Sequence, residues 1–199
     1  MKKSDPFLGL RLELDDSITY GVKKDSLVLA HQGLRLAKKK KKAGEAEYFQ
    51  GQIQMLKGNF VTAIEHFDRA ISINPNDGAS FNDRALCMVE LGILDKALYF
   101  FDMGIRVEPD FATIHHNKGW LLNNLGRYRE SIECFKKALL LEPKRPVTYD
   151  NLADALYNLG DIPGALAAYK KVLELLRPGF CRSIRKQIKE KIKEIEGKI

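Results

Sequence analysis

The residue types that most often perform chemistry are few in this sequence, and their spacing does not define a reaction. It contains no Ser–His–Asp set, glycine-rich phosphate loop or pair of catalytic carboxylates. His115 and His116 are adjacent, so in a helix they point to different sides and do not share one metal ion. The sequence therefore predicts no catalytic residues, no metal ligands and no bound cofactor.

Side chains that bind without reacting are better represented. Trp120 is the only tryptophan, and an indole ring is a common anchor in protein interfaces. Asn117 and Asn151 are 34 residues apart, and an amide carries both a donor and an acceptor for a partner's main chain. This interval of 34 residues recurs along most of the chain, so the elements that position these side chains are repeats.

The repeat is read from columns of residues that keep this period. Glycines recur at Gly58, Gly92, Gly126 and Gly160, small residues at Ala63, Ala97, Ser131 and Ala165, aromatics at Phe67, Phe101, Phe135 and Tyr169, and prolines at Pro75, Pro109 and Pro143. Each glycine ends one helical pattern and each proline ends the next. The sequence thus predicts four helix–turn–helix repeats, at residues 44–77, 78–111, 112–145 and 146–179.

These columns resemble those of the tetratricopeptide repeat (TPR) family, in which a 34-residue helix pair is repeated. The resemblance implies an all-α fold, a right-handed superhelical solenoid of antiparallel helix pairs. It also implies that the first helix of each repeat lines a concave groove that binds a peptide. The residues at the groove positions here include Tyr48, Gln52, Asn82, Asp83, His116, Asn117, Trp120, Asn124, Asn151, Asp154 and Tyr157.

Two features of this set favour a peptide ligand. The sixth position of successive repeats carries Phe49, Asp83, Asn117 and Asn151, and its two amides match the main chain of an extended peptide. Trp120, with His116 and Tyr157 nearby in the family's arrangement, forms an anchor site. The alternatives are that the amides are solvated groove residues and that Trp120 packs as core between repeats.

The charge of the groove positions indicates which segment fits. Asp83, Glu90, Asp150 and Asp154 have no lysine or arginine among the neighbouring groove positions, so a basic or neutral segment is the expected match. The basic clamp with which some family members hold a chaperone's terminal carboxylate is absent. The net charge of +7 belongs instead to the two flanks, which are basic.

The C-terminal flank, residues 180–199, is predicted to be one amphipathic helix. Its apolar stripe contains Ile184, Ile188, Ile192 and Ile195, at helical spacing. In the TPR family such a helix covers the last repeat. The alternative is a coiled-coil seam through which the chain self-associates.

The N-terminal flank divides into two parts. Residues 26–43 predict a helix that ends in five lysines, Lys38 to Lys42, and residues 1–25 predict a flexible or extended arm. Within the arm, residues 7–14 alternate apolar and polar side chains as a strand does. We hypothesise that the arm lies in the protein's own groove. The lysines suit a helix C-terminus, where positive charge is favoured. Since no aromatic residue interrupts them, stacking on the bases of a nucleic acid is not indicated.

The function predicted from these patterns is a non-enzymatic interaction module or adaptor with a protein or peptide partner. A self-assembling scaffold, and therefore a homo-oligomer, is the alternative, whereas nucleic acid and membrane surfaces are disfavoured as partners. The chain shows neither an apolar run of membrane-spanning length nor the apolar stretch of a signal peptide, so a cytoplasmic location is expected.

Overall fold

The computed structural model describes residues 6–20, 23–176 and 182–197. All regular structure within these ranges is helical, and none of these helices is long and apolar enough to cross a membrane. The helices are α1 (Pro6–Tyr20), α2 (Lys23–Lys39), α3 (Ala43–Lys57), α4 (Phe60–Ile73), α5 (Gly78–Glu90), α6 (Leu94–Val107), α7 (Ala112–Asn124), α8 (Tyr128–Leu141), α9 (Pro146–Leu159), α10 (Ile162–Leu175) and α11 (Arg182–Glu196).

The chain divides into two compact units, an N-terminal unit (Met1–Pro109) and a C-terminal unit (Asp110–Ile199). The N-terminal unit contains α1 to α6, and the C-terminal unit contains α7 to α11. Each of the pairs α3–α4, α5–α6, α7–α8 and α9–α10 begins within one residue of the start of a predicted repeat and ends four residues before its predicted end. The all-α solenoid of helix pairs is confirmed. The predicted boundary between the fourth repeat and the capping helix, at residues 179–180, lies outside the described residues.

The turn inside each pair is made by the periodic glycine. Gly58 follows α3 with φ of 84°, a left-handed conformation that glycine adopts without steric cost. Its N–H donates to Met55 O, and the N–H of Asn59 donates to Gln54 O, so two carbonyls at the end of the helix are satisfied. The same left-handed conformation occurs at Gly92, Gly126 and Gly160. The predicted role of this column is confirmed.

Close packing inside a pair depends on a small residue facing an aromatic ring. A Cβ atom on Gly51 would lie 2.6 Å from Cε1 of Phe67, and one on Gly119 would lie 2.9 Å from Cε1 of Phe135. Both rings are fully buried. These contacts set the distance between the two helices of a pair, because no side chain separates the glycine backbone from the ring.

The prediction for residues 7–14 was wrong: they are helical and belong to α1. Phe7 and Leu14 are buried in the core of the N-terminal unit, and Leu8 and Leu12 are exposed. Phe7, Arg11 and Leu14 lie on one helical face at spacings of four and three residues. The sequence alternates as a strand does because Arg11, a charged residue, occupies the inner face of this helix. Residues 1–5 and 21–22 of the predicted arm lie outside the described residues.

Helix α11 packs its isoleucines on the last repeat of its own chain. Ile188, Ile192 and Ile195 are buried in a cluster with residues of α9 and α10, and Ile184 packs against its edge. Nη1 of Arg185 donates to the carbonyls of Leu173 and Leu176 at 2.8 and 2.7 Å, at the end of α10. The isoleucines therefore do not form an exposed self-association seam in this structure, since the chain itself buries them.

Candidate peptide-binding surfaces

The predicted groove residues of the N-terminal unit form a buried, hydrogen-bonded cluster. Nε2 of Gln52 donates to Oη of Tyr48 at 3.0 Å and to a carboxylate oxygen of Asp83. Nδ2 of Asn82 donates to the other oxygen of Asp83 at 2.8 Å. Tyr48, Gln52, Asn82 and Asp83 are each less than a tenth exposed. They were predicted to face a ligand, and in this structure they bind one another instead.

Burial changes the acidity of two members of this cluster. It raises the pKa of Asp83 to about 7, although the hydrogen bond from Asn82 acts in the opposite direction. Burial also raises the pKa of Tyr48 well above its ordinary value, and the charge of Asp83 adds to this. Asp83 therefore carries a proton over a range of pH in which an exposed aspartate is ionised.

Helix α1 lies against this cluster through Arg11. Its Nη1 donates to Oδ1 of Asp77 at 2.7 Å, and Nη2 donates to Oδ2 at 3.1 Å. Nε and Nη2 donate to the carboxylate of Glu45 at 3.2 and 3.1 Å. The guanidinium carbon lies 3.8 Å from the ring centroid of Tyr48. Burial raises the pKa of Asp77, but the hydrogen bond and charge of Arg11 outweigh it and hold that pKa below its ordinary value.

His116 of the C-terminal unit is also turned inward. Its Nδ1 lies 2.9 Å from Oγ1 of Thr148, and its Nε2 lies 3.4 Å from Nδ2 of Asn151. Burial, together with the charge of Arg145, lowers the pKa of His116 to about 3. The imidazole is therefore neutral and joins α7 to α9. Among the described residues, no group of three potential metal ligands forms a metal site.

The remaining predicted residues of the C-terminal unit reach the surface. Trp120 is partly exposed, and its inner side packs against a cluster of Ile132, Phe135, Leu152 and Ala155. Asn117 and Asn124 lie three residues before and four after Trp120, on the same face of α7. On α9, Asn151 and Tyr157 are partly exposed. We call these five residues the Trp120 surface: Asn117, Trp120, Asn124, Asn151 and Tyr157.

The acidic groove positions beside the Trp120 surface already have a cation. Nζ of Lys191, on α11, donates to both carboxylate oxygens of Asp154 at 2.9 and 3.2 Å and to Asp150 at 3.3 Å. The hydroxyl of Tyr169 also donates to Asp154. Lys191 brings one positive charge to these two carboxylates and so offsets half of their charge, and the attraction of a basic segment stays a prediction.

Arg11 and Lys191 were not predicted as site residues. Both come from the flanking helices, outside the columns of the repeat. A signal was nevertheless present: Arg11 lies between Phe7 and Leu14 on one helical face, as Lys191 lies between Ile188 and Ile195. A cation within an apolar stripe is brought against the core when the stripe packs, and it then needs a carboxylate partner.

Repeated helix pairs with glycine turns define a helical-repeat protein, and sequence comparison identifies the family. Tetratricopeptide repeat models match residues 110–177 and residues 44–77, together more than half of the chain. The chain belongs to the tetratricopeptide repeat family. No curated protein sequence matches it.

Solved structures support the fold. TTC0263, a thermophilic TPR protein of Thermus thermophilus, is 24% identical, with a TM-score of 0.72 over 91% of this chain and 95% of that chain. A crystal structure of MamA is 17% identical, with a TM-score of 0.62 over 81% of this chain and 93% of that one. A MamA structure from MSR-1 is 22% identical, with a TM-score of 0.56 over 85% and 95%. At these identities, the likeness concerns the fold alone.

Proposed function

We propose that this protein is a non-enzymatic interaction module that binds an extended or helical segment of a partner protein on the Trp120 surface. The observation that carries the proposal is the setting of Trp120, a partly exposed indole whose inner side is fixed by a buried cluster. A rigid aromatic side chain with a packed base is the usual centre of a protein-binding hot spot. TPR repeats are, as a class, protein-interaction modules, and the setting of Trp120 supports this surface as the place where a partner binds.

The amides around Trp120 suit the main chain of a bound segment. Asn117 and Asn151 occupy the same position in successive repeats, and each amide presents a donor and an acceptor. The contact between Asn151 and the ring of His116 fixes one amide without using both of its polar atoms. We infer that the two asparagines bind backbone groups, and that a partner side chain packs on Trp120.

The charge near the surface narrows the class of partner. Asp150 and Asp154 share the single cation of Lys191, so one of their two negative charges is offset. A segment of low net charge with an apolar or aromatic side chain is the better match. The groove therefore selects its ligand by packing and amide hydrogen bonds more than by ion pairs.

A peptide-display selection tests the proposal. Peptides selected against the full-length protein are titrated by the fluorescence of Trp120, the only tryptophan. We expect their emission to shift on binding. In a labelled-peptide assay, Trp120→Ala should weaken affinity by roughly thirtyfold, since hot-spot truncations cost about 2 kcal/mol or more. Asn117→Ala with Asn151→Ala should weaken it about tenfold.

Leu140→Ala is the matched control, because Leu140 is 76% exposed on α8 of the same unit. It should leave peptide affinity unchanged. Full affinity in both the Trp120 and the double asparagine variants would place the binding site elsewhere, and an equal loss in the Leu140 variant would show that the assay reads unfolding.

The other interaction classes remain predictions with their own tests. If light scattering shows a monomer at high concentration, the hypothesis of a self-assembling scaffold is excluded. Lys38 to Lys42 are exposed, so a binder of anionic polymers through these lysines would lose affinity steeply as salt rises. Binding that does not respond to salt would remove that class.

A further inference from the structure

We propose that Glu45, Tyr48 and Asp77 form a guanidinium-binding site, which α1 fills with its own Arg11 and which an arginine-bearing amphipathic helix of a partner protein occupies when α1 leaves. This second site is on the N-terminal unit. It goes beyond the Trp120 surface and does not depend on it. We call it the Arg11 site.

The geometry of the Arg11 site matches a guanidinium along its edge and on one flat face. Asp77 binds two of its nitrogens, Glu45 binds a pair that includes the third, and the ring of Tyr48 covers one flat face at 3.8 Å. Paired carboxylate contacts and stacking on an aromatic ring are the contacts that distinguish arginine from lysine. The side chain of Arg11 is 16% exposed, so the site holds the group almost out of water.

The walls of the site are held in place by residues other than Arg11. Oδ2 of Asp77 accepts a hydrogen bond from Oγ of Ser80 at 2.7 Å. Oη of Tyr48 accepts one from Gln52. Neither contact involves a residue of α1, which favours a site that keeps its shape when α1 leaves. Without Arg11, Glu45 and Asp77 would lose the cation that bridges them, and such a site favours capture of another cation.

Helix α1 has little intrinsic helical stability apart from its contacts with the repeats. It has 15 residues, no acidic residue in its first turn and no basic residue in its last. Gly9 lies inside it and lowers its intrinsic stability by roughly 1 kcal/mol. An isolated helix of this length is marginal in water. Its outer residues Leu8 and Leu12 are 57% and 52% exposed, so its attachment rests on its inner face.

Two further features show that α1 is an imperfect occupant. A cleft of about 520 Å³ lies beside Pro6, Phe7 and Arg11, so α1 does not completely fill the surface on which it packs. Above about pH 7, where Asp83 is ionised, the charge of Asp15 on α1 repels that of Asp83.

The contacts of α1 define the chemistry of the partner. Phe7 packs against the ring of Phe49, with centroids 6.4 Å apart, and Leu14 is fully buried. Phe7, Arg11 and Leu14 occupy positions i, i+4 and i+7. A helix that lays one face into a groove is recognised through this spacing. The partner segment is therefore a helix that carries an aromatic residue, an arginine and an aliphatic residue at this spacing.

The test uses the full chain and a fluorescent peptide with the sequence of residues 6–20, read by anisotropy. The wild-type protein should bind it weakly, because Arg11 occupies the site. The Arg11→Ala protein should bind it at least tenfold more tightly. On that protein, a peptide with Arg11→Lys should bind several-fold more weakly, and a peptide with Arg11→Ala should bind at least tenfold more weakly.

Arg127→Ala is the matched control, because Arg127 forms an exposed ion pair with Glu130 in the C-terminal unit. It should bind the peptide as the wild type does. If circular dichroism shows that the Arg11→Ala protein does not fold, hydrogen exchange of the wild-type protein is measured instead, with and without excess peptide. The amides of α1 should exchange faster when the peptide is present.

Two results would overturn the proposal. One is peptide affinity that is the same for the wild-type and a folded Arg11→Ala protein, or unchanged exchange of α1 at saturating peptide. The other is a concentration-dependent dimer of the wild type that Arg11→Ala abolishes, because the occupant would then be a second copy of this chain.

Discussion

Arg11 and Lys191 each place a cation between two carboxylates and beside a tyrosine ring. Arg11 does so with Glu45, Asp77 and Tyr48. Lys191 does so with Asp150 and Asp154, its Nζ lying 5.1 Å from the ring centroid of Tyr169. At the scale of single residues, each flanking helix thus supplies one cation to a pair of carboxylates. The five residues of the Trp120 surface carry no formal charge.

Asp83 should make the stability of the N-terminal unit depend on pH. Its pKa is raised from 3.8 to about 7 in the folded state, so between these values the native protein holds a proton that the unfolded chain has lost. Stability therefore falls as pH rises from about 4 to 7. Asp83→Asn should remove this fall and stabilise the protein at pH 8 by on the order of 4 kcal/mol.

The measurement is urea unfolding of the wild type and the variant from pH 4 to pH 8, followed by circular dichroism. The new amide also has an acceptor available, because Oε1 of Gln52 is buried without a hydrogen-bond partner. Asp110→Asn, at an exposed position, is the control and should parallel the wild type. A constant difference between wild type and Asp83→Asn across this range would contradict the assignment.

The secondary-structure elements are positioned by contacts between small residues and rings inside each pair, and by capping at the chain's C-terminal end. Gly51 lets Phe67 approach the backbone of α3, and Gly119 does the same for Phe135. Helix α11 uses a different device, an isoleucine stripe laid on α9 and α10. Such a cap is required because the last repeat of a solenoid has no following repeat to cover its apolar face.

Removing one isoleucine of α11 should therefore lower the stability of the monomer. Ile188 is 1% exposed, so Ile188→Ala removes its packing and leaves a cavity, a change that costs about 2–5 kcal/mol. Chemical unfolding followed by Trp120 fluorescence measures it. Leu140→Ala, at an exposed position, should change stability by less than about 0.5 kcal/mol. Unchanged stability together with an altered oligomeric state would instead support the self-association seam.

At the scale of the whole molecule, each compact unit has buried clusters of its own. One cluster of the N-terminal unit joins residues of α1 to α5 and includes Phe49 and Phe67. The C-terminal unit has one cluster under α11 and another beneath Trp120. In a repeat protein, stability is approximately a sum of local terms, so damage to one cluster acts first on its own neighbours.

A substitution in the N-terminal unit should separate two spectroscopic signals. Phe67→Ala removes a fully buried ring and should cost about 3–5 kcal/mol. Circular dichroism should report an earlier transition. Fluorescence of Trp120, in the C-terminal unit, should change later, because that unit keeps its packing. Phe135→Ala is the matched comparison and should move the fluorescence transition to lower urea. Coincident transitions in Phe67→Ala would show that the two units unfold together.

The sequence by itself determined the repeats, because the periodic glycines, small residues and rings act through contacts within a helix pair. Only the tertiary structure decided which groove positions are buried. Gln52 shares its column with Trp120, and Asp83 shares its column with Asn151, yet Gln52 and Asp83 are buried and bind neighbouring side chains. Arg11 and Asp77 are 66 residues apart. A local pattern does not encode a pairing over that distance, because it forms only once α1 packs against the repeats.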